Sequence, residues 1–170
     1  MDDDTRYWIA GELADSKDKH DAYNIFKMTK DAAGKNPSVL ITDGLPAYQK
    51  AARKVFGNGT YHKCDAGIRS KRKGPNGGSS GSYHPSNNKM ERLNGTIRDR
   101  EKTFRGLSAA DTAVFDGMKV HYNHVRRNDS IKQTPAEAAG ISTEGRNKWK
   151  TIIQNSSLHL IATNQRVRRR

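Results

Sequence analysis

Asp43 is the first residue in this chain whose position suggests chemistry. It follows residues 38–42, a short β-branched apolar run that predicts a buried strand, and Gly44 after it leaves room for a ligand to approach. Active sites of α/β proteins collect at the carboxyl ends of their strands. Carboxylate oxygens, together with substrate phosphate, are the ligands that hard divalent cations take. Asp43 is therefore a candidate ligand for a cation such as Mg²⁺.

Glu91 is the second candidate, inside a helix predicted over residues 87–104. Helical spacing places polar residues on or near its face, namely Asn87, Asn88, Asn94, Gly95 and Arg98. The apolar face of the same helix consists of Met90, Leu93, Ile97 and Phe104. Such a carboxylate could face a cleft that holds Mg²⁺ and phosphate. Two structural alternatives stay open from the residues alone: Asp43 as a helix N-cap, and Glu91 as a surface residue paired with a neighbouring arginine.

The net charge of +13, from 31 Lys and Arg against 18 Asp and Glu, favours a polyanionic partner such as DNA. A merely basic protein is the plain alternative. Residues 66–86 are rich in glycine and serine and predict a flexible loop, and residues 142–170 form a tail with seven Lys or Arg against one Glu. The cations in these two segments that we expect to contact DNA are Arg69, Lys71, Arg72, Lys73, Arg168, Arg169 and Arg170.

Other features exclude whole classes of protein. Cys64 is the single cysteine, so an internal disulfide and a thiolate metal cluster are both excluded. No apolar stretch reaches the roughly 18 residues of a membrane span, and the acidic start does not resemble a signal peptide. We therefore expect a cytoplasmic protein without membrane contact. The histidines are too scattered to propose a metal site: His20, His62, His84, His121, His124 and His159.

The elements that would position these residues alternate between strand and helix, which predicts an α/β layered domain. They are a strand over residues 5–13, a helix over 18–33, a strand over 38–42, a helix over 45–57 and a short strand over 60–64. After the basic loop come the helix over 87–104 and another over 109–125, opened by a capping-box pattern of Ser108 and Asp111. Residues 1–141 thus form the predicted domain, and 142–170 its basic tail.

Five segments, in this order, resemble the catalytic core of DDE-type insertion-sequence transposases. Residues 41–48 are similar to the strand that carries the second catalytic Asp, and residues 88–100 to the Asn-x-x-Glu helix with its basic run. The downstream segments are Lys102 with Arg105-Gly106-Leu107, then residues 122–126, then residues 134–139. Asn128 departs from the pattern, because a histidine is common there.

The resemblance implies an RNase H-like fold, a five-stranded mixed sheet with helices on both faces. It also implies metal-dependent phosphodiester hydrolysis at the ends of a mobile element, followed by strand transfer into target DNA. Two Mg²⁺ or Mn²⁺ ions would stabilise the attacking and leaving oxygens. Asp43 would help to hold one ion and Glu91 the other, while Arg98 and Arg100 would contact the DNA backbone. Such an enzyme would work as a homo-oligomer at the prokaryotic nucleoid.

The family uses three acids, and the first is missing from the matched segments. Residues 1–9 resemble the junction after the second strand, so the first two strands and the bridging acid would precede Met1. We therefore expect the chain alone to be inactive, unless an acid among Asp2, Asp3 and Asp4 substitutes. A metal-dependent nuclease of the same fold and a non-catalytic DNA-binding remnant of a decayed transposase are the alternatives.

Overall fold

The computed structural model describes residues 1–13, 18–64, 87–105, 107 and 112–167. The chain divides into two compact units. The first unit consists of Met1 and Ile9–Thr112, and the second of Asp2–Trp8 and Ala113–Arg170. Both Asp43 and Glu91 belong to the first unit.

The first unit contains a strand, a helix and a second strand that runs parallel to the first. Its elements are α1 (Lys19–Ala33), β1 (Val39–Thr42), α2 (Pro46–Phe56), a 3₁₀ turn (Gly57–Gly59), β2 (Tyr61–Cys64) and α3 (Asn88–Thr103). The strands are in register from Val39 opposite Tyr61 to Thr42 opposite Cys64. The predicted helices and the two strands after residue 38 are confirmed, and the mixture of helix with a parallel sheet is that of an α/β protein.

Capping signals in the sequence explain where α1 begins and ends. The Asp18 carboxylate accepts hydrogen bonds from the backbone N–H groups of His20 and Asp21, in a capping box with the Asp21 side chain. Gly34 ends the helix with φ at 65°, a left-handed conformation that glycine adopts without steric cost.

The hydrophobic core of the first unit lies between α1 and α2. Three alanines of α2 are buried, and their small side chains allow the two helices to approach closely; they are Ala47, Ala51 and Ala52. The rings of Phe26 and Phe56 pack with centroids 5.6 Å apart. Helical periodicity in the sequence predicted apolar positions at Phe26, Ala52 and Phe56, whereas the burial of Ala47 and Ala51 was not predicted.

The burial of β1 differs from the prediction of a strand covered on both faces. Thr42 is its buried residue, whereas Val39 is 46% exposed. Within the described residues β1 pairs only with β2, and a two-stranded sheet cannot enclose its own apolar side chains. The five-stranded RNase H-like sheet stays a prediction.

The second unit is helical. It contains most of α4 (Thr112–Val120), a π-helical turn (His121–Val125), α5 (Pro135–Ala138) and α6 (Lys148–Val167). The helix predicted over residues 109–125 is therefore correct in place, but its last five residues are π-helical. Ser108 and Asp111, its predicted capping residues, lie outside the described part of the chain. The basic tail contains α6, which the sequence did not predict.

The predicted strand over residues 5–13 is wrong. Arg6 has a φ of 62°, a left-handed conformation that interrupts an extended strand. The backbone of Trp8 is paired with a side chain instead of a strand: its N–H donates to Asn123 Oδ1 at 2.8 Å, and Asn123 Nδ2 donates to its carbonyl at 2.9 Å. Trp8 is 2% exposed and packs edge-on against Phe115 and Tyr122.

Among the helices of the described residues, none combines the length and the apolar composition that crossing a bilayer requires.

Candidate active site and nucleic-acid interface

Asp43 lies immediately after β1 and is exposed, with Gly44 beside it at a φ of 87°. Its Oδ1 accepts a hydrogen bond from the backbone N–H of Leu45 at 3.2 Å. The N-cap position of α2 is Leu45, and no side chain caps this helix. The helix-cap alternative for Asp43 is therefore not observed. One carboxylate oxygen accepts this bond, and the other accepts no side-chain or turn hydrogen bond from the described residues.

The residues around Asp43 are polar and uncharged at neutral pH. The buried Thr42 Oγ1 lies 2.9 Å from His62 Nε2, and burial lowers the pKa of His62, so its imidazole is neutral at pH 7. Burial, and then the negative charge of Asp43, raises the pKa of Tyr48, so its phenol stays protonated. Among these described neighbours, Asp43 carries the negative charge.

Glu91 lies in the first turn of α3 with an exposed side chain. Its backbone N–H donates to the carbonyl of Asn87 at 3.0 Å. The salt bridges formed within the described residues do not include Glu91, so the alternative of a surface ion pair is not observed. No cation among the described residues forms a salt bridge with its carboxylate or with that of Asp43.

The two arginines predicted on α3 lie on different sides of the helix. At about 100° per residue, Arg98 is displaced by roughly 20° from Glu91, whereas Arg100 is displaced by roughly 180°. Both side chains are exposed. Arg98 can therefore contact a phosphate that also approaches Glu91, whereas Arg100 can contact only a backbone on the opposite side.

The carboxylates of Asp43 and Glu91 are the type of ligand that a hard divalent cation takes, but two of them are too few to form a metal site. In the described ranges, no three or more His, Cys, Asp or Glu side chains form a group that could hold a metal ion. Asp2, Asp3 and Asp4 belong to the second unit. Asp2 is used in a local turn, where it accepts hydrogen bonds from the N–H and the hydroxyl of Thr5. The described residues alone therefore do not form a complete metal centre, and we derive no reaction step through one.

The remaining predicted DNA contacts fall on other segments. Those in the glycine-rich loop and at the C-terminus lie outside the described residues; they are Arg69, Lys71, Arg72, Lys73, Arg168, Arg169 and Arg170.

The sequence analysis did not predict one set of polar contacts in the second unit, which joins Thr134, Glu137 and Lys148. Thr134 and Glu137 form a capping box around the buried Pro135, and Lys148 Nζ donates to Glu137 Oε1 at 2.5 Å. The hydrogen bond from Lys148, followed by that from the Thr134 backbone, lowers the pKa of Glu137 to about 2. Thr134 and Glu137 have the spacing of a capping box, so the contact between these two residues could have been predicted from the sequence. No local sequence pattern indicates that Lys148 contacts Glu137.

Comparison of the chain with protein-family models, with curated proteins and with solved structures found no match. The transposase resemblance accordingly depends on the five segments of the sequence and stays a prediction.

Proposed function

We propose that this chain carries part of the active site of a DDE-type DNA transposase, with Asp43 and Glu91 as two of its three catalytic acids. The placement of Asp43 supports this proposal most strongly: an exposed carboxylate directly after a strand of a parallel strand–helix–strand unit. Glu91 adds a second exposed carboxylate that is not engaged in a salt bridge within the described residues.

In this proposal the chain's own residues orient a DNA phosphodiester. Arg98, about two turns from Glu91 and on the same side of α3, would contact a phosphate oxygen and fix the position of the strand. Mg²⁺ or Mn²⁺, two ions in a complete site, would supply the positive charge that stabilises the attacking and leaving oxygens. The substrates would be the ends of the mobile element and the target DNA. The enzyme would act as a homo-oligomer in the prokaryotic cytoplasm, at the nucleoid.

A second candidate function is DNA binding without catalysis. Two observations favour it: the net charge of +13, and a described structure in which no third metal-ligating side chain joins Asp43 and Glu91. Such a protein would bind DNA through phosphate contacts alone, with little dependence on sequence.

Both candidates can be tested with one set of variants on a labelled DNA duplex, in Mg²⁺ and in Mn²⁺. Asp43→Asn and Glu91→Gln keep the size of each side chain but remove a negatively charged metal ligand. Glu101→Gln is the matched control, since Glu101 lies on the same helix about 80° around its axis from Glu91. DNA affinity and strand cleavage are measured for each variant.

Any cleavage by the unmodified chain should disappear in Asp43→Asn and Glu91→Gln, and should persist in Glu101→Gln. DNA affinity should change less than about twofold, because phosphate contacts come mainly from Lys and Arg. Cleavage that survives Glu91→Gln would contradict the assignment of the active site. DNA binding without cleavage in either metal is expected of the second function and also of an active site that lacks its third acid, so cleavage is the result that separates the two. Failure to bind DNA would contradict both.

A further inference from the structure

A groove in the first unit lies between α2 and β2, along the 3₁₀ turn that connects them. We call it the α2–β2 groove; it has a volume of about 400 Å³. It is lined by Gln49, Ala52, Arg53, Gly57, Asn58, Gly59, Thr60, Tyr61, His62 and Cys64. Cys64, at one end, lies opposite Thr42, the residue before Asp43. The groove therefore extends from the exposed surface of α2 toward the strand end that carries the candidate catalytic acid.

One end of the groove is strongly basic. A second depression joins it through Gln49 and Arg53 and adds Lys50 and Lys54 to its lining. Among the described residues, Lys50 and Arg53 form no salt bridge, and no carboxylate lines either depression. Lys54 lies 4.7 Å from the centre of the Tyr23 ring, which keeps its ammonium group at the surface of α2. This cluster can bind a polyanion without first breaking an ion pair.

The other side of the groove presents an aromatic ring. Tyr61 is 67% exposed, a larger fraction than that of the other exposed large hydrophobic residues in the described chain. The 3₁₀ turn beside it has glycine at both ends, and an added Cβ at Gly57 or Gly59 would meet nothing within 4 Å. A flat group can therefore approach the Tyr61 ring over this turn. Gln49 and Asn58 also line the groove, and their amides can donate and accept hydrogen bonds.

We propose that the α2–β2 groove binds an unpaired segment of DNA, with one base stacked on Tyr61 and the backbone phosphates on Lys50 and Arg53. A row of cations beside an exposed aromatic ring is the arrangement that binds single strands without sequence preference. In a duplex the base faces are already stacked on each other, so Tyr61 could not reach one. The inference rests on the proposed function and adds that the DNA strand bound near Asp43 is unpaired.

The test compares a fluorescent single-stranded oligonucleotide with a duplex of the same length, by anisotropy at fixed salt. Tyr61→Ala should weaken binding of the single strand about tenfold, because stacking on one aromatic ring is lost. Tyr61→Phe keeps the ring and should restore the affinity. Arg53→Gln should reduce the slope of log affinity against log salt concentration for the single strand, by the amount expected for about one phosphate contact. Lys27→Gln, at an exposed position of α1, is the control for cations outside the groove, and circular dichroism verifies the fold of each variant.

The expected result is a loss in Tyr61→Ala that is confined to the single strand, with duplex affinity unchanged. An equal loss for both DNA forms, or no loss, would overturn the groove proposal and leave the proposed function standing, provided that the unmodified chain binds duplex DNA. Failure of Tyr61→Phe to restore binding would also overturn it, since stacking requires the ring and not the hydroxyl. If the unmodified chain binds neither DNA form, the proposed function fails as well.

Discussion

Replacing Asn123 with alanine should destabilise the second unit severely. Asn123 is 3% exposed, and its amide is bonded to both the N–H and the carbonyl of the buried Trp8. Each buried backbone group left without a partner costs about 1–3 kcal/mol, so the loss of both should cost about 3 kcal/mol once partial access of water is allowed for. At roughly 3 °C per kcal/mol for a chain of this size, the unfolding midpoint should fall by about 10 °C.

Differential scanning calorimetry measures this shift, with Asn155→Ala as the matched control. Asn155 is exposed on α6, so its replacement should change the free energy of unfolding by less than about 0.5 kcal/mol. Asn123→Asp is a sharper probe. Its buried carboxyl should have a raised pKa, because burial disfavours the charged form. The destabilisation of this variant relative to the unmodified chain should therefore be smaller at pH 4 than at pH 7. If Asn123→Ala melts within about 1 °C of Asn155→Ala, the paired amide does not hold Trp8 in place.

Three further predictions concern pH, glycine and salt. The pKa of Glu137 is about 2 in the folded chain, against an ordinary value of 4.5. Its contribution to the free energy of unfolding is therefore present above pH 4.5 and is lost as the pH falls toward 2. Thermal melts of Glu137→Gln should not show this loss. Gly34→Ala should lower the free energy of unfolding by about 1 kcal/mol, because φ is positive at this position. Gly95→Ala, inside α3 with open space around it, should raise it by about 0.5–1 kcal/mol, and urea titrations measure both changes. DNA affinity should fall steeply between about 50 and 200 mM salt, and deletion of residues 166–170 should reduce that slope; an affinity independent of salt would contradict binding through phosphate contacts.

Local signals predicted the strand–helix–strand part of the fold well. The glycine after α1 and the proline at the start of α2 each mark a boundary that the structure reproduces. These signals succeed because capping and φ preferences act over three or four residues, which any sequence displays directly. The exposed carboxylate after β1 was predicted for the same reason.

Long-range contacts explain what the sequence did not predict. Residues 5–13 have the composition of a strand, but the partner of Trp8 is a side chain 115 residues away, and no local pattern indicates it. The exposure of Val39 depends on how many strands lie beside β1, which its own apolar run cannot specify. Burial and pairing are tertiary properties, and they override local propensity.

Paramagnetic broadening by Mn²⁺ in NMR spectra tests the central claim most directly, namely that Asp43 and Glu91 serve one catalytic site on DNA. In the presence of a DNA oligonucleotide and a small amount of Mn²⁺, the amide signals of residues 42–45 and 88–92 should broaden together. Glu91→Gln should abolish the broadening of both segments, whereas Glu101→Gln should leave both unchanged. Broadening of one segment alone, or broadening of the first that persists in Glu91→Gln, would contradict a shared site.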